Sequence, residues 1–332
     1  MDEWTIPKIM DAAVVIPTIT INPLVQRCVD ACLETAPGAE IIVLADTLDG
    51  ALALPVAVTI LETGPLTISA KRNRGVEATS KANIGFIDSD AYPAEGWLQN
   101  GIEILKQDAR IGIAGGPNVS PPNSMATERY VGGAQRSFLV TGHYNFRKKI
   151  AHARFCDDLP SCNMVVRRSD YVDLGGMDEN LYIFEDKDFC VRMIKSGKRI
   201  HYSPDVLVYH RDRPLGSFFV QRAVWGGDLW NAMPKILSFS KLYLFLPMLA
   251  VLFFLSGVLI PLAPLWAVVY VPVSALYGVV VLIESGRNAA SILDIPGVAL
   301  AILIGNLGPG IGSIAQPLRM MPDVRKIYRN DD

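Results

Sequence analysis

Residues 242–283 run for 42 positions without an Asp, Glu, Lys or Arg, and Leu, Val, Phe and Ala dominate them. A helix rises ~1.5 Å per residue, so crossing the ~30 Å hydrocarbon of a bilayer takes ~20 residues, and this run has room for two crossings. The PLAP segment at 261–264 is the expected turn between them. A second uncharged stretch, 295–318, carries Gly305, Gly308, Pro309, Gly310 and Gly312, and is expected as an irregular third span or a re-entrant segment. A buried hairpin in a soluble core is the weaker account, because nothing amphipathic nearby would cover such helices.

The charges set the division of the chain. Of 31 basic and 33 acidic side chains, only ten follow Lys241, so a water-soluble N-terminal part joins an apolar C-terminal part. The start, MDEWTIPKIMD, is polar and acidic rather than a signal peptide, and the N-terminal part is therefore expected to stay in the cytoplasm. Cys28, Cys32, Cys156, Cys162 and Cys190 are an odd set without metal-type spacing, and all five read as reduced packing residues. A net charge of −2 with no basic, aromatic-interleaved patch argues against a nucleic-acid partner.

Within the first 210 residues short apolar runs alternate with helix-like segments, which predicts an α/β sheet with helices on its faces. Strands are expected at 12–16, 40–45, 56–61, 84–87, 111–114 and 162–167, with helices at 23–34, 69–80, 95–106 and 185–196 and an extended segment at 199–210. Residues 115–160 read as a long irregular binding loop or lid, and the sequon Asn118-Val-Ser120 inside it as a chance match. Residues 217–237 mix Phe218, Trp225 and Trp230 with Arg222 and Lys235, which suits a helix at the headgroup level; Gly226 and Gly227 would weaken its continuity. The resulting division is a catalytic domain at 1–214, an interfacial amphipathic segment at 215–241, a transmembrane region at 242–318 and a basic tail at 319–332.

Three clusters carry chemistry. In IGFIDSDAYP an apolar run ends in Asp88-Ser89-Asp90, and in an open α/β sheet ligands bind beyond the carboxyl ends of strands. Two carboxylates so spaced can share a divalent cation and a diphosphate, since hard metals take oxygen ligands from protein and phosphate together. In FEDKDF, Glu185, Asp186 and Asp188 open a helix; the helix dipole and an i,i+4 pair with Arg192 account for Asp188. In SAKRNRG, Lys71, Arg72 and Arg74 begin a helix whose N-terminus favours an anion, and phosphate binding and a solvated basic face are equal readings.

Taken in order, VVIPT, EIIVLAD, AKRNRG, GFIDSDAYPAEGWL, SCNMVVRRSDYVDLGGMDE and FEDKDFCVRMIKSGKRIHYSPDVLVYH resemble glycosyltransferase family 2, whose catalytic domain has the Rossmann-like GT-A fold. The hydrophobic tail resembles that of members acting on lipid-linked acceptors. The resemblance implies Pro17 and Thr18 as the wall of the nucleotide pocket, Asp46 as the base-binding acid, and Arg72, Asn73, Asp88 and Asp90 as further donor-binding residues. It implies Mn²⁺ or Mg²⁺ held by Asp90 and Asp88, with His210 as a further ligand. Asp186 becomes the general base, with Glu185 next in line, and the anomeric carbon inverts.

Two departures matter. Ala45-Asp46 stands where many members have two adjacent acids, and Gln221-Arg-Ala-Val-Trp225 lacks the arginine of processive members, so transfer of a single sugar is expected. The implied function is a membrane-integral, cytoplasm-facing glycosyltransferase moving sugar from a nucleotide-diphosphate donor to a lipid-linked acceptor. The alternatives are transfer to a polyprenyl phosphate itself and, from another class, an inactive membrane scaffold.

Overall fold

Buried apolar strands organise the first part of the molecule. The computed structural model describes residues 10–236, 244–318 and 320. The expected basic tail therefore lies outside the described residues apart from Met320, as does the end of the expected interfacial segment. In chain order the elements are β1 (Ala12–Pro17), α1 (Pro23–Thr35), β2 (Glu40–Ala45), β3 (Val58–Glu62), α2 (Ile68–Glu77), β4 (Asn83–Ile87), β5 (Ala91–Pro93), α3 (Trp97–Gln107), β6 (Ile111–Gly115) and β7 (Asn118–Val119). There follow α4 (Ala126–Arg136), α5 (Phe138–Thr141), β8 (Arg154–Cys156), β9 (Asn163–Arg167), α6 (Arg168–Asp173), α7 (Glu185–Lys195), β10 (Arg199–Tyr202) and β11 (Val208–His210). The C-terminal helices are α8 (Leu215–Ile236), α9 (Leu246–Leu255), α10 (Ala267–Asn288) and α11 (Ile295–Ala315).

The chain divides into two compact units. Among the described residues, one holds 10–121 together with 149–211; the other holds 122–148 with those from 212 onward.

The first unit is built on an eight-stranded sheet of order β3-β2-β1-β4-β9-β6-β10-β8 and a three-stranded sheet of order β5-β11-β7. All six residues of β1 are buried, as a parallel strand covered on both faces requires. β1 pairs in parallel with both β2 and β4, so the connections diverge on either side of it and leave a crevice at the carboxyl ends of β1 and β4. β9 enters antiparallel between β4 and β6, placing Asn163 opposite Ile87. Local chemistry supports the helices: Asn22 caps α1 by accepting from the Leu24 and Val25 amides, ahead of Pro23 at its first position. The segment at 199–210, expected as one extended piece, is two strands in different sheets joined by a turn.

The second unit is helical, and it corrects the reading of 115–160 as an irregular lid. Residues 126–136 form α4, which carries the Glu128 carboxylate back onto the Met125 amide. α4 packs against α11 through Val131 and Ala134 beside Val298, Ala301 and Ile302. Ion pairs and hydrogen bonds add to this packing: Arg129 meets Asp294 at 3.1 Å, and the Ser137 hydroxyl donates to Glu284 at 2.6 Å. No local pattern could announce this, since the partner stripe lies ~160 residues away in sequence.

α8 is continuous through Gly226 and Gly227, contrary to expectation. A Cβ on Gly226 would collide with the Pro309 carbonyl, and one on Gly312 with the Ala223 carbonyl, so glycines let the α8 and α11 backbones touch. The Arg222 guanidinium donates to the Gly305 carbonyl at 2.9 Å within the same packing. The stretch expected to be irregular or re-entrant is a single helix, α11, with Pro309 inside it. Among the described residues, the segments Pro264–Asn288 and Ile292–Ala315 are long and apolar enough to cross a membrane, whereas Leu246–Leu259 is a shorter apolar helix. α10 leaves Val268, Val271 and Leu276 exposed, which is not the pattern of a soluble core helix.

Candidate functional site

The crevice at the carboxyl ends of β1, β2 and β4 receives the first set of candidate residues. β1 ends at Pro17, and the following Thr18 amide bonds the Leu44 carbonyl, so the turn is tied to the end of β2. Asp46, one residue past β2, has its amide on the Ile19 carbonyl and its carboxylate 2.6 Å from Lys71 Nζ. That ammonium also donates to the Thr18 carbonyl, and so fastens both strand ends to α2.

Arg72, the next residue of α2, is 1% exposed and grips two acids distant in sequence. One terminal nitrogen lies 2.6 Å from Asp88 and the other 3.2 Å from Glu185. Asp88 follows β4 and Glu185 opens α7, so a single buried cation joins the acidic end of the sheet to the second acidic cluster. Lys71 and Arg72 thus face inward onto carboxylates, whereas Arg74 is exposed. Asn73 is engaged by its neighbours: its carbonyl accepts from the Tyr171 hydroxyl and the Met177 amide, and its amide donates to the Met177 carbonyl and Glu179.

Electrostatics follow from this packing. Burial alone would push the Asp88 carboxyl up, but the Arg72 guanidinium and the His210 ring outweigh it and hold the group at about 2. Burial pushes Glu185 above the ordinary carboxylate range, with Arg72 only partly opposing it. Asp186 also acts electrostatically on the Arg72 guanidinium, and its carboxylate accepts from the Lys187 amide at 2.7 Å. Asp188 pairs with Arg192 at 2.8 Å, as their spacing predicts.

Phe184, immediately before this acidic turn, has φ +67, a left-handed conformation that bulky residues rarely adopt. Such strain costs of the order of 1–3 kcal/mol and persists only where surrounding structure enforces it.

His210 ends β11, whose pairing with β5 sets it opposite Ala91, directly after the Asp-Ser-Asp turn. Its Nε2 lies 3.5 Å from an Asp90 oxygen and 3.7 Å from an Asp88 oxygen. Both separations exceed a normal N–H···O bond. Two carboxylates and an imidazole around such a gap are a donor set that a divalent cation accepts, so the residues fit the expected metal.

Cys162 joins them, which sequence reading missed: ligand atoms of Asp88, Cys162 and His210 all lie within 4.8 Å of one another. The register explains it. Because Ile87 faces Asn163, the next residue outward on each strand, Asp88 and Cys162, also lie side by side. No spacing in the sequence signals a contact between residues 74 positions apart; only the antiparallel insertion of β9 creates it. The sequon asparagine, Asn118, is 5% exposed in β7, with its amide donating to the Cys162 sulfur at 3.4 Å.

A doubly wound sheet interrupted by the antiparallel β9, with an acidic turn at its switch point, is the architecture of the GT-A fold of glycosyltransferases. The sequence profile described as "Glycosyltransferase like family 2" matches residues 10–225, and the chain belongs to that family. It is 30% identical over 169 residues to the pre-mycofactocin glycosyltransferase of Mycobacterium tuberculosis, covering 48% of this chain and 33% of that one. It is 26% identical over 148 residues to the glycosyltransferase AglE of Haloferax volcanii, covering 44% of this chain and 45% of that one. The chain thus matches less than half the length of each of these relatives. Among solved structures, the mannosyltransferase PcManGT from Pyrobaculum calidifontis, in complex with GDP-Man and Mn²⁺, superposes with a TM-score of 0.54 at 16% identity. That match covers 95% of this chain and 89% of the other, and shows a shared fold.

Proposed function

We propose that this chain is an inverting, metal-dependent glycosyltransferase that moves a single sugar from a nucleotide-diphosphate sugar to a lipid-linked acceptor at the cytoplasmic face of a membrane. The observation that carries the reading is the buried Arg72 bridge between Asp88 and Glu185, with His210 and Asp90 beside Asp88 and the Asp186 charge acting on the same guanidinium. The two long apolar helices support membrane anchoring and hence a lipid-borne acceptor.

In this reading Pro17, Thr18 and Asp46 form the nucleotide wall, kept in place by Lys71. Arg72 and Asn73 support the donor by holding Asp88 and the 176–179 turn. Asp88, Asp90 and His210 would hold Mn²⁺ or Mg²⁺, which when bound would neutralise charge on the departing diphosphate. Asp186 takes the proton from the acceptor hydroxyl as its oxygen bonds to the anomeric carbon and the bond to the nucleotide diphosphate breaks. Attack from the face opposite the leaving group inverts that carbon. Glu185, held by Arg72, positions the turn that carries Asp186.

The test is a screen of UDP- and GDP-sugars for manganese-dependent sugar transfer by the purified full chain, with co-purifying lipid identified by mass spectrometry. Transfer of one sugar onto a lipid, abolished by EDTA and restored by Mn²⁺, is the expected result. Long polymeric products would overturn the single-addition reading, and EDTA-insensitive transfer would overturn the metal.

A further inference from the structure

We propose that Cys162 is a ligand of the cation at this site, joining Asp88, His210 and Asp90, so that the metal is bound by mixed oxygen, nitrogen and sulfur donors with Asp90 on the open side. The inference rests on the metal-dependent reading above and adds to it a residue that motif reasoning assigns to packing.

Geometry carries the argument. Asp88, Cys162 and His210 are the group among the described residues whose ligand atoms converge within 4.8 Å. Each sits at the end of a strand fixed by pairing: Asp88 and Cys162 flank the Ile87–Asn163 pair, and His210 is held opposite Ala91. Asn163 is fully buried and locks Cys162 in place. It accepts from the Trp97 indole at 2.8 Å and donates to the Val206 and Pro117 carbonyls at 2.8 and 3.0 Å.

A second observation points the same way. Asn118 is 5% exposed and directs its amide N–H at the sulfur, while its own carbonyl oxygen has no hydrogen-bond partner among the described residues. A buried amide that donates to sulfur stabilises negative charge there, the form in which a cysteine binds metal. The exposure gradient gives the site a direction. Cys162 is buried at 5%, the Asp88 and His210 side chains are 28% and 20% exposed, and Asp90, at 38%, stands where a diphosphate can approach. As the metal–sulfur bond forms, the S–H bond breaks and its proton passes to solvent.

Sulfur in the donor set has a chemical consequence. Carboxylate and water suit Mg²⁺, whereas thiolate and imidazole favour softer ions such as Co²⁺, Zn²⁺ and Cd²⁺, so this site should discriminate against Mg²⁺ more than one built from oxygen alone.

The experiment is optical titration of the detergent-solubilised full chain with Co²⁺, alone and with GDP or UDP. Wild type should show visible ligand-field bands together with a near-ultraviolet thiolate-to-cobalt charge-transfer band. Cys162→Ser should keep the ligand-field bands, lose the charge-transfer band, and bind Co²⁺ at least roughly 10-fold more weakly, the cost typical of losing even an outer-shell partner. Ligand-field bands without charge transfer in wild type, or a charge-transfer band that persists in Cys162→Ser, would overturn the sulfur ligand while leaving the metal reading intact. No cobalt binding under any of the conditions would overturn both.

Discussion

Replacing Arg72 by methionine removes the one cation that Asp88 and Glu185 share, and leaves two carboxylates facing an apolar side chain. Arg72 is 1% exposed, and its partners lie 2.6 and 3.2 Å away with side-chain exposures of 28% and 14%. Breaking a buried pair by removing one partner costs ~3–5 kcal/mol, because the remaining charge stays desolvated and unpaired. The partial solvent access of both acids puts the expected loss near ~3 kcal/mol. For a domain of this size, that lowers the melting temperature by roughly 6–12 °C. The sign of the pH dependence follows from Asp88, held at about 2 in the fold against an ordinary value near ~3.9. A depressed carboxylate contributes stability that is present above the unfolded value and lost as pH falls through the folded one. Wild type therefore keeps this contribution down to about pH 4, whereas in Arg72→Met the acids take up protons at milder acidity. The gap between the two proteins should be widest at pH 7 and narrow toward pH 4. Near-ultraviolet circular dichroism melts of the full chain in detergent, reporting on buried Trp97, would measure it. Adding Glu185→Gln should recover part of the loss. An Arg72→Met protein that melts within about 2 °C of wild type at pH 7, or a gap that widens in acid, would refute the account.

Asp186→Asn should lower turnover roughly 10²- to 10⁴-fold while leaving nucleotide affinity within a few-fold, as steady-state kinetics and calorimetry would show; full turnover would remove Asp186 from the base role and point to an acceptor that is already ionised. Asn163→Ala strands the Trp97 indole N–H and two carbonyls in the core, an expected loss of about 3 kcal/mol by thermal unfolding, and an unchanged melting point would show that the core reorganises around it. Gly312→Ala drives a methyl into the Ala223 carbonyl and should destabilise the α8–α11 packing by roughly 1–3 kcal/mol, read as earlier aggregation on heating in detergent; the matching Gly278→Ala, where a Cβ meets nothing within 4 Å, is the control expected to be near neutral.

Much of this protein can be read without coordinates, because some physical signals are local. Apolar runs such as 12–16 and 40–45 are short, bounded by turn residues and too hydrophobic to be exposed, so they mark buried parallel strands. An acidic Asp-Ser-Asp turn at the end of such a strand falls by topology at the ligand-binding edge of the sheet. The charge-free C-terminal stretches depend on composition alone; of the two crossings for which the first has room, its described residues hold one helix long enough and one shorter apolar helix. What the one-dimensional pattern leaves open is every contact made by register or by packing at a distance. Lys71 and Arg72 read equally as phosphate ligands or as a solvated basic face at a helix start; only the fold turns them onto Asp46, Asp88 and Glu185. Cys162 reads as packing until the antiparallel entry of β9 sets it beside Asp88, and 126–136 reads as loop until α11 supplies the apolar stripe that α4 needs. The sequence by itself determined which segments had to be buried and where negative charge would collect, since solvation acts on each residue where it stands. Which charges meet, and which sulfur faces which carboxylate, was decided by the tertiary structure, because those energies exist only between groups that folding brings together.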